Sequence, residues 1–161
     1  MAETIIAPLR PACEPGVLAL NEASVTETSP LDLHGLRRLM AQAFYARVAG
    51  QVDAFLLAFD QDADYASPNF RWFKARHQYF VYIDRIVVAA HARGRGLARL
   101  LYADLFDHAR AAGHDRIGCE VNLGPPNPAS DGFHAALGFR EVGCANLPGS
   151  GKIVRYLAKN L

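Results

Sequence analysis

The feature that most constrains this chain is a stretch in which the apolar spacing changes twice. Tyr79–Val88 (YFVYIDRIVV) is β-branched and aromatic, the composition of a central strand. From Leu97 the leucines fall at intervals of three and four, so that Leu97, Leu100, Leu101 and Leu105 share one helical side, and Gly113 stands where a C′ cap belongs. Arg116–Asn122 (RIGCEVN) then returns to strand character. A strand, a helix and a second strand in that order form a crossover unit, the signature of an α/β sheet rather than of a helical bundle or a sandwich.

The flanking segments extend that unit. Gly16–Asn21 (GVLALN) reads as a first short strand, and the spacing of Leu33, Leu36, Leu39, Met40 and Phe44 predicts a helix of about a dozen residues. YARVA and VDAFLLAF, separated by Gly50-Gln51, predict an antiparallel pair with a two-residue turn. Asp60–Gln78 has no clean period and reads as a long loop or a short irregular helix. Near the end, Asn127 is placed to cap a short helix opened by Pro128, Gly138 closes it, and FREV and KIVRYLA supply two more strands. The expectation is an α/β fold with one mixed sheet, a single domain over 1–161, with 1–15 as a loosely attached tail.

Charge narrows the partners. Seventeen Lys and Arg against sixteen Asp and Glu give a net charge of +1, without the basic excess that non-specific nucleic-acid binding needs. An RNA-binding surface on Arg93, Arg95, Arg99 and Arg110 is therefore the weakest reading. Cys13, Cys119 and Cys144 are far apart and lack paired spacing, which suits reduced thiols in a cytoplasmic protein. No export signal, membrane span or metal-ligand pair of histidines is expected.

The knot between the central strand and its helix, Arg93-Gly94-Arg95-Gly96-Leu97-Ala98, carries chemical meaning. The first N–H groups of a helix have no partner within it, and the helix dipole favours an anion at that end. Glycines let the backbone approach such an anion, and Arg93, Arg95 and Arg99 add charged donors, so a pyrophosphate fits the turn. A dinucleotide fingerprint would need a third glycine and a Walker A loop would need G-K-S or G-K-T; neither is present.

The pattern R-x-x-G-x-A resembles the pyrophosphate loop of the GCN5-related N-acetyltransferase (GNAT) superfamily, and Val88 stands five residues before Arg93 as the family's strand does. Farther on, NPASDGFHAALGF supplies Asn127, His134, Gly138 and Phe139 at the family's intervals. The resemblance implies an acyl-CoA N-acyltransferase fold whose two parallel central strands splay apart around acetyl-CoA. It implies backbone contacts from Ile86, Val87 and Val88, a pyrophosphate held by Arg93, Gly94, Arg95, Gly96, Leu97, Ala98 and Arg99, and Asn127 with Ser130 near the thiol. It also leaves a homodimer open.

Transfer to an amine requires a base. An amine of pKa about 10.4 is neutral in only about one molecule in 2,500 at pH 7, a cost of roughly 4.6 kcal/mol. The resemblance suggests Asp84, four residues before Val88, as the group that takes the proton, with an ion pair to Arg85 as its competing role and Glu120 in reserve. Alternation would set Tyr82, Asp84, Ile86 and Val88 on one face. Where the family usually has Tyr to meet the departing thiolate, this chain has His134. Tyr65, Asn69, Trp72 and Phe73 are divided between an acceptor lid and the core. The expected function is acetyl transfer from acetyl-CoA to a primary amine of a small molecule or peptide; the alternative is an acyl-CoA-binding module without turnover.

Overall fold

The computed structural model describes residues 3–161. Among these residues seven strands and five α-helices follow in chain order: β1 Ile6–Pro8, α1 Glu14–Ala23, α2 Leu33–Gln42, β2 Tyr45–Ala49, β3 Ala54–Asp60, α3 Pro68–Lys74, β4 Val81–Val88, α4 Leu97–Ala111, β5 Arg116–Gly124, α5 Pro128–Ala136, β6 Arg140–Leu147 and β7 Lys152–Asn160. The strands form one sheet in the order β1-β2-β3-β4-β5-β7-β6. Among the described residues only β4 and β5, joined through α4, run parallel; the other neighbouring pairs are antiparallel.

Each face of the sheet is covered by its own helices. Leu97, Leu101 and Leu105 of α4 pack with Val81, Ile83 and Ile117, while α1 and α2 cover Phe55, Leu57 and Val87 on the opposite face. Beside them α3 buries Phe70 and Phe73 against Tyr82 and Tyr156. Burying a leucine or phenylalanine side chain stabilises by about 1.5–3 kcal/mol, so these three clusters hold the sheet rigid beneath the site.

Two parallel pairings, Val81 with Ile117 and Tyr82 with Gly118, are all that join β4 to β5. A Cβ at Gly118 would lie 2.3 Å from Phe73 Cε1, so glycine is what lets α3 sit over this last paired rung. Beyond it the strands part. The cause lies in β4, where Arg85 faces Leu57 and Ile83 faces Ala58, leaving Asp84 as an extra residue in a bulge. A bulge bends its strand and turns the following side chains over. Ile86 and Val88 therefore pack on the α4 side, whereas Tyr82 belongs to the opposite cluster. The even alternation expected over Tyr82, Asp84, Ile86 and Val88 is interrupted at Asp84.

Other expectations need correcting. Gly16–Asn21 is part of α1, not a strand: Glu14, Val17 and Asn21 are buried at helical spacing, and Pro15 sits in the first turn. The short apolar run concealed a helix whose inward stripe includes two polar residues. The segment 1–15 was expected to be loose, yet β1 pairs with β2 through Ile6–Ala49 to Pro8–Arg47; that expectation for Met1 and Ala2 lies outside the described residues. The turn after β2 takes four residues, Gly50–Asp53, because Val52 adopts a positive φ of 58° and Asp53 N–H returns to the Ala49 carbonyl at 2.9 Å. Asp60–Gln78 contains the short helix α3.

Candidate active site

The backbone enters α4 through Gly94 (φ 79°) and Gly96 (φ 75°), left-handed angles that disfavour any residue with a Cβ. Gly96 is the N-cap and offers no side chain to the helix, so the first-turn N–H groups of Leu97, Ala98 and Arg99 open outward. A groove of about 620 Å³ lies above them, lined by Arg93, Gly94, Gly96, Leu97, Ala98 and Arg99 together with Ile86, Val87, Val88, Asn127 and Ser130. Val87 contributes backbone there, since its side chain is buried between α1 and α2. Arg95 is the exception among the expected residues. It does not line the groove and instead faces Asp53, at 3.9 Å.

The groove continues into the gap between the splayed strands. Asn127 and Ser130 line both spaces, and Asn127 Oδ1 also accepts from the Ser130 N–H at 3.3 Å, so it caps α5 as well as walling the groove. Because β4 bonds β3 on one side and β5 only at its first two residues, the second edge of Ile83–Val88 is left unpaired by the sheet. Such an edge presents N–H and C=O groups to an extended ligand with amides of its own, as pantetheine has.

Asp84, Glu120, Tyr102, Cys119 and His134 meet in this gap. Asp84 is spoken for on both oxygens: Arg85 Nε donates to Oδ2 at 2.7 Å and Tyr65 Oη donates to Oδ1 at 2.6 Å. Arg85 is buried and also donates to Asn21 Oδ1 (3.0 Å) and Ser29 Oγ (3.2 Å), which ties the α1–α2 connection to β4. The ion-pair role set beside the base role for Asp84 is therefore the one its contacts display.

Among the described residues no cation pairs with Glu120. It accepts from Tyr82 Oη at 2.7 Å and from Asn69 Nδ2 at 3.1 Å, and Tyr156 Oη in turn donates to Asn69 Oδ1 at 2.9 Å. Burial pushes its carboxyl up to about 8; the charge of Asp84 adds to the rise, while the bonds from Tyr82 and Asn69 oppose it. Cys119 faces the same gap as a neutral thiol, its pKa driven well upward by burial.

His134 is 5% exposed and fully engaged. Its Nδ1 lies 2.7 Å from the Ser130 carbonyl oxygen, which can only accept, so Nδ1 carries the proton. Nε2 is then the acceptor for Tyr102 Oη at 2.8 Å. Burial lowers the pKa of this imidazole, which favours the same neutral form. Thus the ring has no free N–H to aim at a departing sulfur.

On the far side of the gap a chamber of about 350 Å³ is bounded by Tyr65, Asn69, Tyr82, Glu120, Asn122 and Lys152. Lys152 Nζ donates to the Thr26 carbonyl at 3.3 Å and so links the β6–β7 hairpin to the α1–α2 connection across its mouth. Of the four aromatic-segment residues, Tyr65 and Asn69 line this chamber, Phe73 is core, and Trp72 stacks on Tyr156 with centroids 4.2 Å apart. Sequence reasoning gave Tyr82 and Tyr102 no role in the site, and saw Arg85 only as a partner for Asp84, not as an anchor to Asn21 and Ser29. The legible signal was a buried-looking strand that nevertheless carried a charge, CEVN in β5 and YIDR in β4.

These features define a mixed α/β fold with an Arg-Gly loop at a helix N-terminus and a carboxyl-lined gap, and the comparisons place that fold in a family. Residues 42–139, more than half of the chain, match the Acetyltransferase (GNAT) family. The chain belongs to that family. A phosphinothricin N-acetyltransferase from Streptomyces coelicolor is 40% identical over 72 residues, covering 44% of this chain and 41% of the relative, so the match spans less than half of either. Among solved structures, the ribosomal-protein-alanine N-acetyltransferase of Brucella melitensis is 26% identical with a TM-score of 0.74, covering 98% of this chain and 99% of that one. The Salmonella typhimurium protein yncA, solved with its cofactor acetyl-CoA, is 18% identical with a TM-score of 0.71, covering 98% and 94%.

Proposed function

We propose that this protein transfers the acetyl group of acetyl-CoA to the primary amine of a small molecule by direct attack. The observation that carries the reading is one continuous path: a loop of outward N–H donors, an unpaired strand edge, and the half-buried Glu120 carboxyl at the far end. Arg93, Arg99 and the first turn of α4 bind the diphosphate, the edge of Ile86–Val88 pairs with pantetheine, and Asn127 with Ser130 lies near the thiol.

In this reading Glu120, rather than Asp84, takes the proton from the amine. A base works best when its pKa lies near the operating pH, and Glu120 meets that condition without a cation competing for its charge. Tyr82 and Asn69 orient the carboxyl, and Asp84 acts from its salt bridge by keeping Glu120 basic. Asp84→Asn should then shift the acidic limb of the kcat/KM profile to lower pH by roughly one unit, because a negative neighbour is lost and Arg85 is left unpaired. An unmoved limb would count against this division of roles. The Lys152–Thr26 link across the mouth favours a compact acceptor over a peptide chain.

Thiol release from acetyl-CoA with a panel of small amines and short peptides tests the function, alongside calorimetry of acetyl-CoA binding. The expected result is binding together with release that depends on a small amine. Binding without release for every amine would favour the acyl-CoA-binding module, and absence of heat at millimolar ligand would overturn both.

A further inference from the structure

With His134 occupied, the group that meets the departing sulfur has to be found elsewhere; the Ser130 hydroxyl also lines the gap, but an alcohol is a weaker donor than a phenol, and the phenols in the gap and in the chamber beyond it differ in what holds them. Tyr65 donates to Asp84, which is ion-paired with Arg85, and Tyr82 donates to Glu120, a carboxylate in the form that acts as base. Tyr102 donates to a neutral imidazole nitrogen. A hydrogen bond to an ionised acceptor is roughly twice as strong as one between neutral groups. A thiolate forming in the gap would therefore outcompete His134 Nε2 for the Tyr102 proton. The ring of Tyr102 is fixed for this purpose: it is 1% exposed, packed edge-on against Phe106, Phe133 and Phe139, and only its hydroxyl rotor has freedom to turn.

We infer that Tyr102, from α4, donates its phenolic hydrogen bond to the coenzyme sulfur as the thioester breaks, and that His134 is a positioning residue which holds that hydroxyl between turnovers. The inference rests on the acetyl-transfer reading above and names the group that reading leaves unassigned. As the amine nitrogen bonds to the acetyl carbon, the C–S bond breaks and its electron pair stays on sulfur. The proton from nitrogen is held on Glu120, while the thiolate is stabilised by the O–H of Tyr102 and collects its proton from water as coenzyme A leaves. The phenol itself stays protonated throughout, since burial places its pKa far above neutrality.

The test reads the thiol of coenzyme A in its binary complex, by the ultraviolet absorbance of the thiolate against pH, and so does not depend on turnover. In the parent protein the bound thiol should ionise below free coenzyme A. In Tyr102→Phe its pKa should rise by about 1–2 units, with kcat down by about 10–100-fold, the range for a hydrogen bond to a charged group. His134→Phe should leave the bound thiol low, because the hydroxyl stays; a direct donor role for His134 predicts the reverse pair of results and would overturn the inference. Both variants are checked for unchanged coenzyme affinity, which a misfolded protein would not retain. Coenzyme binding with equal thiol titration in Tyr102→Phe and parent overturns this inference alone, whereas no coenzyme binding by the parent overturns the acetyl-transfer reading and this inference with it.

Discussion

Glu120→Gln is expected to lower kcat/KM for the acceptor amine by about 10²–10⁴-fold, the loss typical of removing general-base catalysis, while acetyl-CoA still binds. The amide keeps the shape of the side chain and can still accept from Tyr82, but it cannot take a proton. Parent activity should rise with pH through about 8, where Glu120 ionises, and the residual activity of the variant should lack that step. Stability should move the other way. In the unfolded chain this carboxyl ionises near 4.5, whereas the fold raises it to about 8. The folded protein therefore holds the extra proton between those values, and the stability it enjoys below about 4.5 is lost progressively as pH rises through about 8. Gln carries no such loss, so the Tm of the variant relative to the parent should climb between pH 5 and pH 8. A variant with parental kcat/KM, or with a flat Tm difference across that range, would remove Glu120 from the role of base.

The second large effect belongs to the loop. Gly96 holds φ 75° with nothing within 4 Å of where a Cβ would stand, so the obstacle to substitution is the backbone angle rather than space. Forcing a β-branched residue into that region costs about 1–3 kcal/mol, and the chain can relieve it by rotating the peptides that present the Leu97, Ala98 and Arg99 N–H groups. Gly96→Val should weaken acetyl-CoA binding by about 10–100-fold in calorimetry, with a smaller change in kcat at saturation, because the diphosphate lies far along the coenzyme from the reacting carbon. Arg95→Ala supplies the contrast. Its guanidinium faces Asp53 outside the groove, so affinity should change less than about threefold. Equal losses in the two variants would mean that general positive charge, not the N–H geometry, holds the anion.

Local features of the chain were readable because each is governed by residues close in sequence. The Gly94–Gly96 turn, the Asn127 cap and the Gly113 terminus appear where spacing placed them, and Leu97, Leu101 and Leu105 form the inward stripe of α4, although Leu100, expected on the same side, is exposed. Helix α1 was misread because its inward stripe includes Glu14 and Asn21, whose burial makes sense only once Arg37 and Arg85 are beside them. The bulge at Asp84 was equally hidden, since it is a mismatch between two strands and neither strand records it alone.

What the linear order of residues determined is the scaffold and the anion loop: periodicity sets which side chains can share a face, and a glycine's freedom is a property of its own backbone. What only the tertiary structure decided is the assignment of protons. Asp84 and Glu120 have the same functional group, yet Arg85 and Tyr65 close around one while Tyr82 and Asn69 hold the other without a counter-charge. Likewise the Ser130 carbonyl and the Tyr102 hydroxyl occupy both nitrogens of His134. Desolvation and charge pairing act through space, so residues far apart in the chain set which group can give or take a proton.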